Sequence, residues 1–220
     1  MIGLISAAGC ATVNPPAESA GLAALHAAFD PNRIFKGDLL DNADDQLILT
    51  AWGSARDDYA PAYSLAIAYR CFPAEKRCRY TARMLRTGVT VEDTSRLSLQ
   101  LFGQARTAES AWEVRRVLDK AEIQWLEADV NACPKGIFAM DSVRVADWNP
   151  DIHYALQEVK DREIILHPAA IRVRMTGTYA TSTYEGWVGA NGVPAAVRQL
   201  TETLEPCWKP ATSPRPWNRR

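Results

Sequence analysis

Apolar positions along the chain keep two different periods, and the change from one to the other predicts where helices give way to strands. In AGLAALHAAF, Leu22, Leu25, His26 and Phe29 recur at i, i+3, i+4 and i+7, the single stripe of an amphipathic helix. Asp30-Pro31-Asn32 stops it. Residues 38–52 (DLLDNADDQLILTAW) read as helical, and SARDDYAP as the loop behind them. In AYSLAIAYRCF, Leu65, Ile67, Tyr69 and Cys71 alternate as in a strand, although the Leu65/Tyr69 spacing also tolerates a helix. Pro73 suits a first helical position, so PAEKRCRYTARMLRTG is expected to be helical. Cys78, Ala82 and Leu85 would then line its inner side, and Gly88 would end it. Arg77, Arg79, Arg83 and Arg86 would form its exterior, a solvated face on the plain reading and a patch for anionic headgroups on the functional one.

Ser110-x-x-Glu113 is a capping-box signature. It opens a long helix whose stripe is Val114, Val117, Leu118, Ala121, Trp125 and Ala128, closed by Cys133-Pro134. Asp147-Trp148-Asn149-Pro150-Asp151 is a turn cluster. IHYALQ and EIILH read as strands. In AIRVRMTGTYATSTYEGW, Gly177-Thr178 suits a two-residue hairpin turn. Counting outward pairs Met175 with Ala180, Val173 with Ser182 and Ile171 with Tyr184 on an apolar face. Arg172, Arg174, Thr181 and Thr183 fall on the opposite, polar face, as in an antiparallel sheet solvated on one side. NGVPAAVRQLTETLEPC is a C-terminal helix whose buried stripe, Val197, Leu200 and Leu204, runs on into Cys207. The expected architecture is α+β: an antiparallel sheet with helices packed on one face, including the long central helix and the C-terminal helix. The expected organisation is a signal-like segment 1–9, a tether 10–17, one domain 18–207 and a disordered, basic, Pro-rich tail 208–220.

At 220 residues, 47% hydrophobic and 23% charged, the chain can bury a substantial core. A net charge of −1 argues against nucleic acid as its main partner. The N-terminal run Ile2-Gly3-Leu4-Ile5 leads through Ser6-Ala7-Ala8-Gly9 to Cys10, and Ala11-Thr12-Val13-Asn14-Pro15-Pro16 follows. This LISAAGCATV stretch resembles the signal-to-mature junction of bacterial lipoproteins, in which a small residue directly precedes a cysteine that becomes acylated. The resemblance implies lipid on Cys10, a membrane anchor at the periplasmic side of the cell envelope and, from Ala11, an outer membrane where the host has one. The competing reading is a frayed terminus with an ordinary thiol.

Five cysteines are present, so setting Cys10 aside leaves Cys71, Cys78, Cys133 and Cys207, an even number suited to an oxidising compartment. Of their three pairings, Cys71–Cys78 and Cys133–Cys207 are favoured, because the last two should face one core from the ends of two helices. The spacings do not make a structural zinc site, and reduced buried thiols remain the alternative.

No motif of hydrolase, metalloprotease, dinucleotide or P-loop chemistry occurs, and neither a metal nor a cofactor is implied. His26 reads as a packed histidine. His153 and His167 could approach Asp151 or Glu163 only if the fold brings them together. The carboxylate pairs Asp44/Asp45, Asp57/Asp58 and Glu92/Asp93 suit solvated turns. The candidate site is therefore a binding face on the hairpin: Arg172, Arg174, Tyr179, Thr181, Thr183, Glu185 and Trp187. Its plain alternative is cross-strand polar pairing. Together these features point to an envelope lipoprotein that binds a protein or cell-wall partner, with a hydrolase assembled from scattered loop residues as the rival.

Overall fold

The structure, a computed structural model, describes residues 19–37, 39–41, 43–52, 60–72, 77–87, 91–148, 170–187 and 191–219, without the side chains of 91–95 and Trp187. The signal-like segment, the tether with Cys10, Asp57/Asp58, IHYALQ, EIILH, His153 and His167 lie outside the described residues, as do the Glu92/Asp93 side chains.

Helix α1 spans Ala20–Phe29, with Ser19 capping its N-terminus by accepting from the Leu22 amide at 3.2 Å. Asp30 ends α1 and caps the short α2 (Pro31–Ile34) through a 2.9 Å bond from the Asn32 amide. Then come β1 (Asp45–Trp52), β2 (Tyr63–Phe72), β3 (Arg77–Arg86), α3 (Val91–Thr107), α4 (Ala111–Lys120), β4 (Gln124–Asp129) and α5 (Gly136–Val145). The hairpin strands β5 (Ala170–Thr176) and β6 (Thr181–Trp187) precede α6 (Gly192–Leu204) and a two-residue strand β7 (Lys209–Pro210). Among the described residues the strands form one antiparallel sheet in the order β6-β5-β1-β2-β3-β4-β7.

The α+β class and the antiparallel sheet stand as expected, but helices cover both faces rather than one. On one face, Leu47, Leu49, Leu65, Ile67, Ala82 and Met84 meet Met140 and Val143 of α5 and Val197, Leu200 and Leu204 of α6. On the other, Ile48, Ala66, Ala68, Leu85 and Trp125 meet Leu25 and Phe29 of α1, Leu101 of α3, and Val114 and Leu118 of α4. A strand covered on both sides carries a near-continuous apolar run. That is why β1, buried without a break from Leu47 to Ala51, reads as helix in the sequence. The expected helix around Cys78 is likewise a strand. Arg77, Arg79, Thr81 and Arg83 alternate with Cys78, Tyr80, Ala82 and Met84, and β3 pairs with β2 from Phe72↔Arg77 to Tyr63↔Arg86.

The long central helix is also shorter than expected. Ser110 caps α4 by accepting from the Glu113 amide at 3.3 Å, but α4 ends at Lys120. Ala121 turns to extended backbone (φ −74°, ψ 148°), and Trp125 and Ala128 sit in β4 on opposite faces. No glycine or proline marks this break; pairing with β3 from Arg86↔Gln124 to Thr81↔Asp129 supplies what the helix gives up.

The tail is not disordered over 208–219. Lys209–Pro210 pairs with Glu127 and Leu126, and Ala211 donates to the Trp125 carbonyl at 3.0 Å. The strap then crosses to the α1–α4 side. Trp217 is 7% exposed there and donates to Asp119 Oδ1 at 2.9 Å, while Arg219 donates to the Ile34 carbonyl at 3.0 Å. Composition alone marked this segment as polar, and its one deeply buried indole outweighs that.

Candidate functional site

The hairpin face is present, in a different register. β5 pairs with β6 as Arg172↔Glu185, Arg174↔Thr183 and Thr176↔Thr181, around a loop of 177–180 in which the Gly177 amide donates to the Ala180 carbonyl at 2.9 Å. The shift from the expected pairing is two residues, one full side-chain period, so each residue stays on its expected face. Ile171 and Val173 enter the core with α5 and α6. Arg172, Arg174, Thr183 and Glu185 lie on the other face.

Sheet order decides what becomes of those four. β5 and β6 stand at one edge, beside β1. Among the described residues, the helical layer of α1, α3 and α4 packs over the middle of the sheet. Beyond the end of α1 the sheet is left as the floor of a groove of about 620 Å³. Its wall is His26, Asp30 and Asn32; its floor is Ile48, Thr50 and Trp52 from β1, then Arg172 and Arg174 from β5, then Thr183 and Glu185 from β6. The volume lies within the usual range of small-ligand clefts, about 300–1,000 Å³.

Within the groove the polar groups are held in pairs. Arg172 grips Glu185 with two parallel bonds, Nε to Oε2 at 2.9 Å and Nη2 to Oε1 at 2.8 Å. Its guanidinium carbon stands 5.9 Å from the centroid of the Trp52 ring. Arg174 donates from Nη2 to Asn32 Oδ1, tying β5 to the start of α2. The hydrogen bond from Arg172 holds the Glu185 carboxyl below the ordinary carboxylate range, and the same bond raises Arg172. Both groups are thus fixed in their charged forms. Acid–base catalysis needs a group that changes protonation near the working pH, and neither member of this pair is shifted toward that range.

Of the seven residues expected at the site, the groove gathers Arg172, Arg174, Thr183 and Glu185. Tyr179 stands at the hairpin tip, 99% exposed, and Thr181 bonds weakly with Thr176 beside the tip. The Trp187 side chain lies outside the described residues. His26, expected on the packed stripe, is exposed and faces the groove, while Leu25 and Phe29 take the buried side of α1. Sequence reasoning missed His26, Asp30, Asn32 and Trp52. They meet β5 only because β1, more than a hundred residues earlier, is its sheet neighbour, and no local signal carries that adjacency.

The basic residues of the misread helix separate across the sheet and are held within the fold. Arg79 lies over Phe72 at 4.8 Å, Arg83 pairs with Glu127 at 3.6 Å and bonds Ser213, and Arg86 is held by Glu205 at 2.8 Å and Gln124 at 2.8 Å. Internal partners therefore account for these three. A larger, more polar cleft of about 720 Å³ lies between α3, the end of α4 and the ends of β3 and β4. Its cations are Arg86, Arg96 and Lys120, opposed by Glu122, and Arg86 is engaged by Glu205.

The cysteines stand as two bonded pairs. Cys71 and Cys78 face each other across β2 and β3 with sulfurs 2.07 Å apart, and Cys133, just before α5, joins Cys207, just after α6, at 1.96 Å. Among the described residues, no three His, Cys, Asp or Glu side chains are grouped to hold a metal ion, and no helix is long and apolar enough to cross a membrane. In comparisons with protein-family models, curated proteins and solved structures, nothing matches this chain.

Proposed function

We propose that this chain is a lipid-anchored binding protein of the bacterial cell envelope. Cys10 carries the acyl groups, and the folded domain stands on the periplasmic side with its groove open to an envelope protein or a cell-wall component. The observation that carries this reading is the cysteine arithmetic in three dimensions. The other four cysteines meet as two pairs at bonding distance, which leaves Cys10 as the odd one. Disulfides persist in oxidising compartments and are rare in the cytosol. The LISAAGCATV stretch places the odd cysteine where an acyl acceptor belongs. Binding is favoured over hydrolysis because the groove's paired charges are locked to each other and neither is poised to move a proton.

Intact mass of the protein extracted from host membranes, with and without reductant, tests it. The expected product begins at Cys10, carries fatty acyl mass, and gains the mass of four hydrogens on reduction as two disulfides open. A product beginning at Met1, without acyl mass and with all thiols free, would overturn it.

A further inference from the structure

We infer that the groove between α1–α2 and the β1–β5–β6 face binds a short, neutral, hydroxyl-rich oligosaccharide. This deepens the proposed function by naming the ligand class, and it rests on that reading for the claim that the partner is a wall component. Three features of the groove select the ligand.

Charge comes first. Two guanidiniums, Arg172 and Arg174, stand with two carboxylates, Asp30 and Glu185, so the lining offers no net attraction to an ion. A phosphate or sulfate bound at Arg172 would sit against the Glu185 carboxylate that this guanidinium already grips, and the like charges would repel. Polarity comes second. The groove mixes Trp52, Ile48 and Phe29 with charged side chains, and a hydrocarbon laid there would strip those side chains of water without replacing its bonds.

Hydrogen-bond character decides the matter. A guanidinium only donates and a carboxylate only accepts, and here the two lie side by side on adjacent strands. A hydroxyl does both, so neighbouring hydroxyls on a sugar ring satisfy Arg172 and Glu185 together without separating them. Thr183 and Asn32 extend the same chemistry along the groove, and the Trp52 ring supplies an apolar surface for a sugar's C–H face. Arg172 and Glu185 are 59% and 68% exposed at their side chains, so they are accessible to a ligand while already in the bound geometry.

The test is titration calorimetry on the disulfide-bonded protein with chitotriose, cellotriose and maltotriose in turn, and with inorganic phosphate for comparison. At least one trisaccharide should bind with a dissociation constant of about 10–1,000 µM, unchanged by added salt because the ligand is neutral. Arg172→Gln and Glu185→Gln should each weaken it about tenfold or more, while circular dichroism shows the fold intact. Trp52→Ala should abolish binding. Failure of all three sugars at about 10 mM, binding of phosphate in their place, or equal affinity in Arg172→Gln would each overturn the inference. An acylated protein that binds no sugar would leave the envelope reading standing and remove only this one. A sugar-binding protein without acyl mass would do the reverse.

Discussion

Glu185 shows how one contact sets the chemistry of a surface. Its carboxyl is held low by the Arg172 hydrogen bond, so the pair's contribution is complete above the ordinary carboxylate pKa and is lost as pH falls through the depressed one. Both side chains are more than half exposed, which keeps that contribution small. A carboxyl NMR titration should find the Glu185 midpoint below the ordinary value, and Arg172→Gln should move it upward; an unmoved midpoint would mean the grip is absent in solution. Gly21 is constrained by space. A Cβ there would lie 2.1 Å from the Ala105 carbonyl oxygen, where α1 crosses α3. Gly21→Ala should lower stability by about 1–3 kcal/mol in urea unfolding, since the clash is with backbone and the helices must part. The sequence displays the glycine and says nothing of the carbonyl beside it.

Elements were legible where one face of each was wet. The α1 stripe apart from His26, the α6 stripe, the Ser110 cap and the in–out alternation of β5 and β6 read correctly, because the solvent side supplies the polar half of the period. β1 lies in the dry middle of the sheet, with apolar neighbours above and below, and its period vanishes. β3 is the instructive exception: its strict alternation from Arg77 to Met84 was visible, and Pro73 as a helix-start signal masked it. The hairpin loop was taken two residues too short, yet the polar face survived because a slip of two preserves side-chain direction. The terminal strap has one deeply buried side chain, Trp217. Trp217 is buried against the α1–α4 layer and bonded to Asp119, whose carboxyl is held low chiefly by that indole. Trp217→Ala should cost about 3 kcal/mol and make Trp125 more accessible to an aqueous quencher, because Ser213 and Arg219 on the strap both engage the Trp125 ring system. Accessibility unchanged in that variant would mean the strap keeps its place without Trp217.

For the whole molecule, topology matters more than any local signal. The candidate site needed the strand order, since Trp52 and Arg172 meet only after β1 is inserted between β5 and β2. The disulfide pairing agrees with the expected one, but not for the expected reason: Cys133 does not end the α4 stripe, which packs on the other face of the sheet, and instead sits between β4 and α5, in the same core as Cys207. The two bridges differ in what they constrain. Cys133–Cys207 closes a separation of 74 residues and Cys71–Cys78 one of 7. In the chain-entropy account these are about 4 and about 2 kcal/mol respectively. Replacing the Cys133–Cys207 pair with alanines should therefore lower the urea midpoint more than replacing the Cys71–Cys78 pair; the reverse order would show that the hairpin bridge carries the fold.

The larger bridge also partitions the groove. β5 and β6, which give it Arg172 and Glu185, fall inside the covalent ring from 133 to 207, while α1, α2 and β1 lie outside it. A protease that severs the backbone once within that ring cannot release the floor from the wall. Both fragments stay joined through sulfur and remain stapled by the sheet. The cleaved protein would then migrate as one species without reductant and as two with it, a durability suited to surroundings where hydrolases are abundant and thiols are not.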